Sequence, residues 1–130
     1  YTLLFYTDAR TQKVADLKAN PNVSALFYHP KKLMQLRVEG KAEIVTDPQL
    51  IKNYWGTISE RSRKDYITES TPGSAISNPD HVNYLDNENH FCAIQIKANR
   101  IEYLRLKRPN HIRVLFTKSE NDWKGQFLVP

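Results

Sequence analysis

Cysteine is nearly absent from this chain: Cys92 stands alone among 130 residues. A single thiol builds no internal disulfide framework and no cysteine-rich metal motif. The four histidines, His29, His81, His90 and His111, show no metal-ligand spacing. A reducing, cytoplasmic setting is the default for such a composition. No apolar run approaches the roughly 18 residues of a membrane helix. No signal peptide is visible, so no membrane partner is expected. A Walker loop, a GxGxxG turn and a Ser-His-Asp spacing are also missing. Finally there is no initiator methionine, and the chain opens inside the strand-like run YTLLFYT. Domains rarely begin mid-strand, so an N-terminal portion is expected to precede Tyr1.

What is present is ordinary globular material, 40% hydrophobic and 25% charged. The length predicts one domain over 1–130 with room for a core. Lys and Arg number 19 against 14 Asp and Glu, a net charge of +5. That excess suits an anionic ligand. The basic residues are scattered at Lys31-Lys32, Arg61 to Lys64 and Arg105 to Arg108, with no basic tail. Nucleic acid is therefore not the expected partner.

The pattern is mainly β. TLLFYT (2–7) reads as a strand, Asp8 to Arg10 as a turn, and Thr11 as the N-cap of a short helix that ends at Asn20-Pro21. VSALFY (23–28) is a second strand. Residues 33–45 alternate cleanly, with Leu36, Val38, Ala42 and Ile44 on one face and Gln35, Arg37, Glu39, Lys41 and Glu43 on the other. Gly40 within that strand predicts a bulge, a bend or a close backbone approach. Asp47-Pro48 opens a helix with Leu50, Ile51, Tyr54 and Trp55 on its apolar face. Ser59 caps another, expected to reach Ile67. Residues 68–89 form a long loop with one helical turn, and such loops are usually functional or mobile. Four strands follow, at 91–98, 100–106, 111–117 and 123–129, with Asn99 as a tight turn and Ser119 to Asp122 as a hairpin loop. About seven strands and three short helices predict an antiparallel barrel.

The stretch TDARTQK raises the sharpest functional question. A helix N-terminus carries free N–H groups and partial positive charge. Arg10, Thr11 and Lys13 place three side-chain donors there, which suits a phosphate or carboxylate. Cations at that end oppose the helix dipole unless an anion arrives. The competing reading is a solvated turn. Gln35 can donate and accept at once, which suits the mixed edge of a heterocycle, or it is an exposed cross-strand position. His111 and Arg113 alternate on one strand and share a face, as an anion pair or as plain surface. Arg61, Arg63 and Lys64 read most simply as a solvated helix face, and Tyr54 and Trp55 as core.

FYTDARTQKVADLKANPNVSALFY, then QLRVEG, HIRVLF and WKGQFLVP, together resemble the FMN-binding split barrel of the pyridoxamine 5′-phosphate oxidase superfamily. The order and spacing run from Phe5 to Pro130. SERSRKDY followed by Pro72-Gly73 looks like the oxidase-related branch rather than the vitamin B6 enzyme itself. The resemblance implies a split antiparallel β-barrel that binds FMN, forms a homodimer with the flavin at the subunit interface, and acts as an oxidoreductase on a small substrate. It implies that Tyr6 and Thr7 border the FMN, that Thr11 and Lys13 hold its phosphate, that Gln35 hydrogen-bonds the flavin, and that Arg113 contacts the cofactor. Arg10 is a candidate replacement for a family arginine whose place is taken by Gln12. Arg63, Tyr66 and His111 fall on the substrate side. No catalytic acid or base is identified.

The departures from the family pattern carry information. Its first FMN motif would lie before Tyr1. Leu104 stands where a tryptophan is expected, and Pro109 where an arginine grips the substrate phosphate. These changes predict FMN binding with little pyridoxamine-phosphate oxidase activity. Two other readings stand beside the oxidoreductase: a flavin-binding protein for storage or sensing, without turnover, and a basic single-strand nucleic-acid binder. The last needs aromatics on a basic groove, whereas the aromatics here sit mostly on apolar strand faces.

Overall fold

The computed structural model describes residues 1–120 and 122–130. It divides into two compact units, one comprising Tyr1–Leu3, Asn22–Ala42 and Ile96–Pro130, the other Leu4–Pro21 and Glu43–Gln95. The strands are β1 (Thr2–Asp8), β2 (Asn22–His29), β3 (Met34–Ile44), β4 (Phe91–Arg105), β5 (Ile112–Lys118) and β6 (Trp123–Leu128). The helices are α1 (Gln12–Ala19), α2 (Pro48–Thr57) and α3 (Glu60–Arg63), with short 3₁₀ turns at Pro30–Lys32, Lys64–Tyr66 and Pro79–His81. Among the described residues the strands form one six-stranded sheet, in the order β2-β3-β4-β5-β6, with β1 also paired to β4. That path has two ends, so the sheet is open. The protein is thus mainly β, mostly antiparallel, with a few short helices, and the pairs β2–β3, β4–β5 and β5–β6 are all antiparallel.

In the first unit the alternation of β3 sets the packing. Val38 and Ala42 are buried from β3, and Ile96 and Ala98 from β4. Gly40 lies between them, and a Cβ built there would collide with the main-chain carbonyl of Lys97. Of the three readings of Gly40, the structure selects the close approach. β2 pairs with β3 from Asn22↔Lys41 to His29↔Met34. β2 is an end strand of the sheet path, and its Leu26, Phe27 and Tyr28 are exposed.

In the second unit the core is Val14 of α1 with Cys92, Ala93 and Ile94 of β4. Ile94 is fully enclosed, a burial worth roughly 1.5–3 kcal/mol. α2 starts as its sequence dictates: the Asp47 carboxylate accepts from the N–H groups of Gln49 (2.8 Å) and Leu50 (3.1 Å), with Pro48 in the first turn. Ser59 caps α3 by accepting from Ser62 N–H at 3.3 Å. α3 is shorter than expected, because at Lys64 it tightens into the 3₁₀ turn that ends at Tyr66.

The main departure concerns β4. The sequence predicts two strands hinged at Asn99, but one 15-residue strand runs through it. Asparagine favours turns by local bonding, yet the ladder on either side of it outweighs that preference. Ala98 N–H donates to Tyr1 C=O (3.3 Å), and Arg100 sits opposite Thr117. The strand from 111 begins one residue later, which leaves His111 outside it. The hairpin loop at Ser119 to Asp122 includes Asn121, which lies outside the described residues. Its ends are closed by Ser119 N–H donating to Asp122 C=O at 2.8 Å.

Candidate functional site

The strand-to-helix junction is built on Asp8. Its main-chain carbonyl accepts from both Thr11 N–H (3.2 Å) and the Thr11 hydroxyl (2.8 Å). Thr11 is the N-cap of α1 by backbone conformation, but its side chain does not cap the helix. The hydroxyl turns back toward Asp8 and lies 3.4 Å from the Thr7 hydroxyl. Thr7 and Asp8 are buried, at 6% and 4% exposure. The first turn of α1 holds no acidic residue to answer its N–H groups and dipole. Lys13 is exposed there and, among the described residues, has no acidic partner. Two hydroxyls, that of Thr11 already donating to Asp8 C=O, thus stand at the start of a helix whose first turn carries the exposed Lys13.

Arg10 does not join them as a free donor. Its Nε and Nη2 donate to the two Asp8 carboxylate oxygens at 3.1 and 2.8 Å. Nη1 donates to Glu69 C=O at 2.9 Å, and Nη2 to Thr68 C=O at 2.9 Å. The physical reason is proximity of a buried carboxylate. An almost wholly enclosed Asp8 needs a counter-charge, and Arg10, two residues on, is the nearest. Burial pushes the Asp8 carboxyl up, but hydrogen bonds from the Arg10 side chain and backbone, with the Arg10 and His90 charges, outweigh it and hold the group below the usual carboxylate range. Sequence reasoning missed Asp8. Its signal was the Asp-x-Arg spacing in a turn, where Arg10 N–H also bonds Asp8 Oδ1 at 2.8 Å.

Beside the junction in the same unit lies an aromatic cluster. Phe91 is its hub, with ring centroids 5.0 Å from Tyr6, 5.4 Å from Tyr66 and 5.5 Å from Trp55. Tyr6 also faces Tyr54 at 5.9 Å. Such pairs contribute about 0.5–1.5 kcal/mol each beyond burial. The cluster explains why Tyr6 is half-buried rather than solvated. Burial, then the Asp65 charge and Tyr6, push the Tyr66 phenol up, so it is protonated at neutral pH. Arg63 lies 5.0 Å from the Trp55 ring centroid and donates to Trp55 C=O at 3.0 Å. Its Nε is buried without a partner. Arg63, Trp55, Glu60 and Glu88 line part of one surface cavity of about 460 Å³. The Cys92 thiol is buried and pushed up chiefly by that burial, which makes it a poor nucleophile.

The remaining expected residues lie in the first unit. Gln35 is half-buried on β3, opposite Tyr28. Arg113 on β5 sits opposite Leu104 and Leu128. Its Nη2 and Nε meet Glu102 Oε1 at 2.9 and 3.1 Å. Glu102 is buried and also lies 3.8 Å from Arg100, which pairs with Glu39 at 2.9 Å. Glu102 too was missed, although it shares the even-numbered face of β4 with Cys92, Ile94, Ile96 and Ala98. His111 does not share a strand face with Arg113. It lies in the preceding loop, where its Nδ1 accepts from Lys107 N–H at 3.1 Å. Among the described residues no group of His, Cys, Asp and Glu is arranged to hold a metal ion, and no helix is long and apolar enough to cross a membrane.

The family model for pyridoxamine 5′-phosphate oxidase matches residues 1–105. A pyridoxine/pyridoxamine 5′-phosphate oxidase of Chromobacterium violaceum is 29% identical, over 98% of this chain and 66% of the relative. The chain thus spans about two thirds of that relative's length. A pyridoxamine 5′-phosphate oxidase-related, FMN-binding protein of Nostoc punctiforme superposes with a TM-score of 0.81 at 19% identity, over 99% of this chain and 73% of its own. PhzG of Burkholderia lata, solved with tetrahydrophenazine-1-carboxylic acid, superposes with a TM-score of 0.75 at 16% identity, over 98% of this chain and 68% of its own. These likenesses establish the split-barrel fold.

Proposed function

Because the chain belongs to the pyridoxamine 5′-phosphate oxidase family, we propose that it is an FMN-binding oxidoreductase whose cofactor phosphate is held at the start of α1. The observation that carries this reading is the acid-free N-terminus of α1 with the unpartnered Lys13 in its first turn, next to the Thr7 and Thr11 hydroxyls. That arrangement fits a phosphate: the free N–H groups of the helix start supply neutral donors and one ammonium supplies charge, while the Thr11 hydroxyl, donated to Asp8 C=O here, would turn from it to join them. Tyr6 borders the flavin ring, with its own ring held by Phe91 and Tyr54. Gln35 and Arg113 are the further cofactor contacts, with Arg113 oriented by Glu102. Arg63, Tyr66 and His111 are the substrate-side residues.

The flavin, when bound, supplies the redox chemistry by accepting a hydride or an electron pair from a small substrate. The protein's part is to bind, orient and exclude water. Tyr66 keeps its proton throughout the neutral range, so it serves as a hydrogen-bond donor rather than a base. The working unit is a homodimer in the cytoplasm. In its support, the end strand β2 exposes Leu26 (58%) and Tyr28 (61%) on one face and Phe27 (48%) on the other, apolar groups that a second copy paired along this edge would cover. The substrate is not the vitamin B6 phosphate ester, because Pro109 stands where the family's phosphate-gripping arginine is expected. A flavin-binding protein without turnover is the second reading, favoured by the same substitution and by Leu104.

The test is an absorption spectrum of the purified protein before and after addition of FMN, followed by gel filtration. Flavin bands that co-elute with a dimer are expected. A colourless protein that ignores FMN refutes the reading.

A further inference from the structure

The long segment that follows the helices is fastened rather than loose. Its two limbs are zipped together: Glu69 N–H donates to Asn83 C=O (2.9 Å), Leu85 N–H donates to Ile67 C=O (2.7 Å), and Thr68 bridges Tyr84. The near limb presents three consecutive carbonyls, Thr68, Glu69 and Ser70, to the Arg10 guanidinium at 2.9, 2.9 and 3.4 Å. The Thr68 hydroxyl accepts from Arg10 Nη2 at 3.2 Å and itself donates to Ser70 C=O at 3.0 Å. The far limb continues to His90, whose N–H donates to Tyr66 C=O (2.8 Å) and whose carbonyl accepts from Ala9 N–H (2.7 Å). One guanidinium therefore joins the 68–70 backbone to Asp8, and Asp8 holds the Thr11 hydroxyl through its own carbonyl.

We propose that Arg10 is a positioning residue and not a phosphate ligand: it neutralises the buried Asp8 carboxylate beside the anion cradle and latches the 67–85 segment to it. The electrostatic half of this proposal rests on the flavin-phosphate reading above, and the latch half does not. All three guanidinium nitrogens already donate to internal acceptors, and the side chain is 22% exposed against 3% for Asp8. Without Arg10, a nearly enclosed negative charge would sit beside the hydroxyls and Lys13 that are to hold an anion. Phosphate affinity would then fall although no phosphate contact had been removed. The three carbonyls would lose their donors at the same time, and the segment would open.

The two roles separate in a set of variants measured with FMN and riboflavin, together with hydrogen exchange of residues 67–85. Arg10→Ala is expected to weaken FMN roughly tenfold more than riboflavin, the size of one unscreened charge at close range, and to speed exchange at the Glu69 and Leu85 amides. Asp8→Asn combined with Arg10→Ala removes both charges. It is expected to restore the preference for FMN while exchange stays fast. Arg10→Lys keeps the charge and loses the fork. It is expected to keep the preference and to exchange at an intermediate rate, and it carries the test if Arg10→Ala does not fold. A double variant as poor in FMN as Arg10→Ala would show that Arg10 touches the phosphate, and would overturn the counter-ion role. Unchanged exchange in Arg10→Ala would overturn the latch. If the parent protein itself fails to distinguish FMN from riboflavin, the phosphate reading of the cradle falls with the counter-ion role, and exchange still decides the latch.

Discussion

Arg113 grips a single oxygen of Glu102 with two nitrogens, Nη2 at 2.9 Å and Nε at 3.1 Å. The carboxylate is buried and the guanidinium is about one-third exposed, so the pair fixes the arginine's direction while leaving part of it to solvent. Arg100 lies 3.8 Å from the same carboxylate. Changing Glu102 to Ala leaves two cations without their shared partner, in a place that water only partly reaches. The expected cost is about 2 kcal/mol, below the 3–5 of a fully buried broken pair. Urea unfolding at neutral pH measures it. Glu102→Gln keeps an acceptor oxygen and should lose less.

Lys13→Ala should discriminate between ligands. The ammonium is exposed, is assigned only to the phosphate, and has no acidic partner among the described residues. FMN affinity is expected to fall roughly tenfold or more, with riboflavin nearly unchanged. Fluorescence titration of the two ligands reads the difference. Equal losses would remove Lys13 from the cradle.

Asp8 predicts an acid limb in the stability profile. Its folded carboxyl is held below the ordinary range, with burial opposed and outweighed by Arg10 and His90. A depressed carboxylate adds stability that is present above the unfolded value of about 3.9 and is lost as pH falls through the lower folded value. Stability should therefore drop below about pH 4. In Asp8→Asn this contribution to the drop should vanish, while stability at pH 7 is lower than in the parent. Urea melts between pH 7 and pH 2.5 test it, and an identical acid limb in both proteins would exclude Asp8 as its source.

Gly40→Ala should be poorly tolerated for a steric reason alone. The new methyl group would meet the main-chain carbonyl of Lys97, and a backbone atom in a strand cannot swing aside. A loss of about 3 kcal/mol is expected, at the upper end of ordinary overpacking. A midpoint shift in urea with an unchanged slope would confirm that the native state alone is affected.

Pyridoxine 5′-phosphate should be turned over poorly by the flavin-loaded protein, because Pro109 offers no charge to its phosphate. Steady-state oxygen consumption checks this. Turnover that saturates at micromolar ester would contradict the substrate reading.

Whatever depends on a few neighbouring residues is legible in the chain before it folds. The alternation of β3, the Asp47-Pro48 start of α2 and the Ser59 cap all follow from the period of a strand or the orphan donors of a helix start, whereas which of its three readings Gly40 takes was settled by Lys97 across the sheet. The order of its motifs likewise pointed to the family, since spacing along a chain survives when single residues drift. Three further matters were decided only in three dimensions. Asn99 was carried through β4 because partner strands held the backbone on either side. Arg10 turned inward because the carboxylate two residues before it is buried, and burial depends on what folds over Asp8 rather than on Asp8 itself. Arg113 acquired Glu102 because a hydrogen-bonded ladder brought two residues 11 apart in sequence into one ion pair. A charged side chain's partner is set by which carboxylate loses its water, and that is a property of the packed structure.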